Sequence, residues 1–227
     1  MPRHEVRRQR YPMKRTEWYR RTTWDDEIRA DFYRRWQRAR TTYNKAQYLR
    51  LQAYHLVQSG LYQAAIELLE HYFREFANAD GDLALAHLLY AEACAGINEQ
   101  QEAITHFRLA IQHQRVHPNV ITEAPLEFAI FIIRTKNKKL FLEGLQGLNG
   151  FELTVKMLLP IQKYTLNGLR AIILKLLDRK PEANSNAQVA LAAADMSDSG
   201  LRFHPGFGVV VDKNSRFHKL LKKLAAA

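Results

Sequence analysis

Three histidines, one cysteine and a row of arginines are the residues of this 227-residue chain whose chemistry must be weighed first. His106, His113 and His117 are seven and four apart, which places them near one face of a helix, and histidines four apart can share a zinc ion. His117 precedes Pro118, however, and the residue before proline is pushed out of helical geometry. No carboxylate lies in phase to complete a ligand set, so the spacing predicts no metal site. Cys94 falls in an apolar helical phase with Leu88, Ala91 and Ala95, the position of a buried thiol rather than a nucleophile. A single cysteine also excludes an intramolecular disulfide and a cysteine zinc cluster. Asp25, Asp26 and Glu27 adjoin, but at the start of a helical pattern, where negative charge complements the helix dipole. Gly206-Phe207-Gly208 lacks the third glycine, the lysine and the strand–loop–helix context of a phosphate loop. The chain therefore reads as a non-enzyme without cofactor or metal.

The arginines are more informative. Arg3, Arg7, Arg8, Arg10, Lys14, Arg15, Arg20 and Arg21 alternate with Tyr11, Trp18 and Tyr19. Cations neutralise phosphates and aromatic rings stack on bases, so this composition suits RNA or DNA held electrostatically. A second reading docks Trp18 and Tyr19 on the body and leaves the arginines in solvent or against an acidic stretch. The charge is unevenly distributed. The net formal charge of +11 divides into +9 over residues 1–50, −6 over 51–113, +6 over 114–180 and +2 over 181–227. A basic arm thus precedes an acidic early body. No apolar run reaches the ~20 residues that span a bilayer. The N-terminus lacks the apolar core of a secretory signal. The expectation is a cytoplasmic protein.

These residues need elements to position them, and the apolar spacing supplies helices. Trp24, Ile28, Phe32, Trp36 and Ala39 form one stripe of a helix over about 22–42, capped by Thr22 or Thr23. Helical pairs follow, the first broken at Ser59-Gly60, where glycine can take the left-handed C-cap. In their second helices Ala65, Ala103, Phe141 and Ala183 correspond, at intervals of 38, 38 and 42 residues. In their first helices the small residues are Ala53, Ala91, Ala129 and Ala171. Small residues let helices approach closely, and one hairpin cannot bury both of its apolar sides, so the hairpins must stack. Near the C-terminus, Asn214 or Ser215 caps a helix whose apolar stripe is Phe217, Leu220, Leu221 and Leu224. Residues 203–211 contain a turn at His204-Pro205. They either reverse the chain or lie in the groove of the repeat array.

With small residues midway along the first helix and early in the second, Tyr62 at the turn, Ala110 and Ala190 further on and His117-Pro118-Asn119 at a repeat end, residues 46–195 resemble the tetratricopeptide repeat family. The intervals exceed that family's 34 residues. Phe141 stands where a small residue is usual, which predicts a splayed or irregular third hairpin. The resemblance implies an all-α, right-handed α-solenoid of about four helix–turn–helix hairpins, with an extra N-terminal helix and a C-terminal capping helix. Its domains would be a flexible basic arm at 1–21, the solenoid at 22–195, and a turn-rich segment with the capping helix at 196–227. It also implies a concave groove lined by the first helices: Gln47, Arg50, Tyr54 and Gln58, then Leu88 and Glu92, then Leu126, Ile130 and Arg134, then Ile172 and Lys175. Apolar anchors with a few charges suit a peptide or protein partner. The function expected is a non-enzymatic interaction adaptor. The alternatives are a nucleic-acid-associated factor working through the arm and a peptide-responsive regulator. A homo-oligomer is compatible with all three.

Overall fold

The computed structural model describes residues 17–76, 82–155 and 157–226. Among them are ten α-helices and no strand. The first, α1 (Asp26–Gln37), is shorter than the sequence pattern suggested. Its cap is Asp25, not Thr22 or Thr23: the Asp25 carboxylate accepts from the Ile28 backbone N–H at 2.8 Å. Asp26 and Glu27 fill the first turn, and no metal role is needed for the acidic run. The helix ends early because Thr41 starts the next one, its hydroxyl accepting from the Asn44 N–H at 3.1 Å.

The hairpins then follow as α2 (Thr42–Gln58) with α3 (Tyr62–Phe76), and α4 (Leu83–Gly96) with α5 (Gln100–Val116). After them come α6 (Ala124–Arg134) with α7 (Phe141–Thr154), and α8 (Pro160–Leu176) with α9 (Lys180–Asp195). All four turns close in one way. The N–H of Leu61 donates to the carbonyl of Leu56, Glu99 to Cys94, Asn137 to Ile132 and Arg179 to Leu174, at 2.9 to 3.1 Å. This is the six-to-one bond of a Schellman motif. It requires a left-handed residue just before each donor, and Gly60, Asn98, Lys136 and Asp178 adopt φ of 77°, 67°, 53° and 59°. The four closures recur at intervals of 38, 38 and 42 residues, the intervals of the sequence repeat. The third turn is therefore regular. Its second helix opens with a 3-10 turn at Lys138–Leu140 and buries Gly144 and Gly147. Gly144 lies so close to Ile132 of α6 that a Cβ would collide with that side chain. The small position of this helix is thus Gly144, three residues beyond the buried Phe141.

Backbone contacts divide the chain into two compact units, with the division between Ala124 and Pro125, inside the segment expected to form one array. In the first unit α2 packs on α3, α3 on α4 and α4 on α5, while α2 also lies beside α4. Ala53, Ala65, Ala91, Ala103 and Ala110 have no exposure, as closely approaching helices require. The Tyr62 ring covers Gly96, where a Cβ would come within 2.5 Å of it. In the second unit α8 packs on α9, and α10 (Arg216–Ala225) covers both. Ser215 caps α10, accepting from the His218 N–H at 3.2 Å. The buried stripe is His218, Leu221 and Leu224, with Phe217 partly buried beside it; Leu220, expected there, is exposed.

Residues 17–21, expected as part of a flexible arm at 1–21, are docked, and residues 1–16 lie outside the described residues. Trp18 packs against Phe32 and Tyr48 with centroids 5.3 and 4.9 Å apart, and Tyr19 stacks on Tyr48 at 4.6 Å. The fully buried Gln52 side chain accepts from the Arg21 N–H at 2.9 Å and donates to the Arg21 carbonyl at 2.8 Å. Those two bonds fix one residue of extended chain against α2. Gln52→Ala should therefore weaken folding by about 1–3 kcal/mol and speed hydrogen exchange at the Arg21 amide, measured by amide exchange with mass analysis.

Candidate functional site

Of the basic residues considered for nucleic acid, Arg3, Arg7, Arg8, Arg10, Lys14 and Arg15 lie outside the described residues. Arg20 pairs with Glu17 at 3.5 Å and rests over the Tyr19 ring, while Arg21 approaches Asp31 at 3.9 Å. Trp18 and Tyr19, the rings available for base stacking, are packed on α1 and α2 instead.

The groove residues separate by burial. Leu88, Leu126 and Ile172 are buried, Ile172 within the α8–α9–α10 core. Arg50 is nearly covered and its guanidinium meets Asp82 at 3.1 Å, tying α2 to the residue before α4. Gln47, Glu92 and Ile130 are half-buried, and Tyr54, Gln58, Arg134 and Lys175 are exposed. On α2 the accessible members form a line. Tyr43, Gln47, Tyr54 and Gln58 fall within an arc of about 60° at 100° per residue. Tyr43 is 66% and Tyr54 43% exposed. The Gln47 amide donates to the Tyr43 hydroxyl at 3.5 Å, which aligns the two side chains. The sequence pattern did not select Tyr43, which lies in the first turn of α2 before residue 46, where the repeat resemblance begins.

Titratable groups converge elsewhere in the first unit. His87 of α4 and His106 of α5 face each other with their Nδ1 atoms 3.1 Å apart, one donating to the other. Phe73 of α3 stacks on one face of His87 at 4.5 Å and His113 stacks on it at 5.3 Å. Tyr90 stacks on His106 at 4.0 Å and donates its hydroxyl to Glu70 at 3.4 Å. Burial, then His106 and His113, push the His87 imidazole down to about 3. Burial also lowers His106, opposed by Glu102 one turn away. His106 and His113 are thus brought together as their spacing implied, while His117 ends α5 and takes no part. No group of three metal-ligating side chains occurs among the described residues. Cys94 is buried, and burial with Glu102, Glu99 and Glu70 raises its thiol to about 12, which leaves it inert.

Residues 203–211 belong to the second unit. The Ser199 N–H donates to the Pro205 carbonyl at 2.7 Å, the His204 N–H to Leu201 at 3.0 Å and the Phe207 N–H to His204 at 3.0 Å. The Gly208 carbonyl accepts from the Ile161 N–H at 2.7 Å, and a Cβ on Gly208 would lie 2.8 Å from Leu159. The segment is a chain of turns seated on the start of α8, with Phe203 and Phe207 exposed. It forms no phosphate-binding loop.

No family model, no curated protein and no solved structure matches this chain. No helix among the described residues is long and apolar enough to cross a membrane.

Proposed function

We propose that this chain is a non-enzymatic adaptor of tetratricopeptide-like helical hairpins that holds a peptide or protein segment along the outer stripe of α2. The observation that carries this reading is the fourfold recurrence of one turn closure, at Leu61, Glu99, Asn137 and Arg179, in step with the sequence repeat. Repeated hairpins present rigid, extended faces built from side chains at fixed intervals, and such faces select partners by contact rather than by chemistry. The stripe has the matching composition. Two exposed tyrosines supply area at little conformational cost, and Gln47 lies on the same face, its amide donating to the Tyr43 hydroxyl. Arg50 acts one layer below, tying α2 to the residue before α4.

Selection of peptides from a displayed library by the purified protein tests this. Replacing Tyr43 and Tyr54 together with alanine should weaken a selected peptide about tenfold or more while the melting temperature stays unchanged, because both rings are exposed. Equal binding by the double variant would place the contact surface elsewhere.

A further inference from the structure

The histidine pair occupies positions where the repeat itself uses hydrocarbon. Stepping back 38 residues, the interval between the first two turns, takes His87 to Leu49 and His106 to Leu68, both buried leucines of the first hairpin. Packing of a second hairpin therefore does not require imidazoles there. Two side chains that gain a proton in mild acid replace two that cannot. Their setting opposes that gain. His87 is buried, stacks with Phe73 and with His113, and its Nδ1 lies 3.1 Å from His106 Nδ1. A second proton on this pair places two donors face to face at 3.1 Å.

We infer that His87 and His106, with His113 stacked on His87, form an acid-sensitive latch, in which proton uptake loosens α4 from α3 and α5. Phe73 from α3 and Tyr90 from α4 face the cluster, Glu70 of α3 reaches it through Tyr90, and Glu102 from the first turn of α5 faces His106. Glu70 is engaged by Tyr90, and Glu102 favours a proton on His106, not on His87. The folded His87 titrates at about 3, below its ordinary 6.5. A lowered histidine contributes fully to stability above 6.5 and loses that contribution as pH falls toward 3, since the opened state takes the proton first. At pH 5 that difference favours opening about 30-fold over neutral pH.

Cys94 reports the opening. It is the only cysteine in the chain, it is buried, and it lies two turns beyond His87 on α4. The full-length protein is labelled with a dithiodipyridine, which reacts with thiols in acid, and the rate is divided by that of the unfolded chain at the same pH. Between pH 7.5 and 5 the normalised rate should rise about 30-fold. In the His87→Leu, His106→Leu double variant, which restores the residues of the first hairpin, it should rise less than about threefold. A flat wild-type rate, or an equal rise in the double variant, overturns the latch. Should the double variant fail to fold, the imidazole nitrogen spectrum of the wild-type protein at pH 5.5 decides: a neutral His87 upholds the inference and a protonated His87 in the folded protein ends it.

Discussion

Replacing Gly168 with leucine should detach α10 from the second unit. Gly168 lies in the interior of α8, where glycine is about 1 kcal/mol worse than alanine for the helix alone. On helix propensity the substitution would therefore stabilise. The packing decides otherwise. A Cβ at this position would collide with the tip of the Phe217 ring, with another ring atom 2.9 Å away and a Leu221 methyl 3.1 Å away. An aromatic ring cannot yield by a small torsion as a leucine tip can, so the ring, and α10 with it, must move. What α10 stands to lose is considerable. Leu221 and Leu224 are buried in the α8–α9 core, Tyr164 and His218 meet at 3.3 Å, and the Asn184 amide donates to the carbonyls of Leu224 and Ala225 at 3.2 and 2.9 Å. Overpacking of this kind destabilises by about 1–3 kcal/mol. Limited proteolysis should cut between residues 200 and 215 in the variant and not in the wild type. The combination Gly168→Ala with Phe217→Leu should restore resistance, because the volume removed from the ring admits the methyl. Persistent cleavage in that combination would show that α10 is not held through this socket.

The repeat was legible because it is written in side-chain size. Ala53, Ala65, Ala91, Ala103, Ala129, Ala171 and Ala183 were selected for their intervals, and all are buried. The Gly60 cap was legible because glycine is the ordinary left-handed residue. Its three counterparts were less legible, since Asn98 and Asp178 adopt the left-handed region less readily than glycine and Lys136 less readily still, and the six-to-one bond holds each there. The cap of α1 was misplaced because threonine and aspartate are both good caps and only the φ/ψ break at Asp25 distinguishes them. Arg50, expected to line the groove, is covered, and so is Arg170, which no motif marked. Arg170 reaches the Leu148 carbonyl at 3.3 Å and Glu152 at 2.7 Å, joining the end of α7 to α8. Period alone cannot reveal that a long side chain bends inward to a carbonyl on another helix. His87 was missed for the opposite reason. It sits in a core phase where the pattern expects leucine, and only its neighbour across the helix interface gives it chemical meaning.

The alanine face of α9 should respond most sharply to added volume. Ala183, Ala187, Ala190 and Ala194 follow one another at helical intervals, and all are buried. Ala187, Ala190 and Ala194 share a core with Tyr164, Ala171 and Ile172 of α8. A face made of methyl groups sets the two helices at the short end of the ~8–10 Å range of packed helices. Leucine at 187 adds three carbons to a position with no exposure. The response is either a strained rotamer or a wider α8–α9 spacing, and widening would withdraw Asn184 from the α10 carbonyls that it binds. The expected loss for Ala187→Leu is about 3 kcal/mol. Val189 is half exposed on the opposite side of α9, so Val189→Leu adds one methylene where solvent accepts it and should change stability by less than about 0.5 kcal/mol. Urea unfolding followed by hydrogen exchange along α8, α9 and α10 distinguishes the two. A large loss at 187 confined to those helices, with none at 189, is the result that close helix approach demands. Equal tolerance at both positions would mean that α8 and α9 do not meet through their alanines.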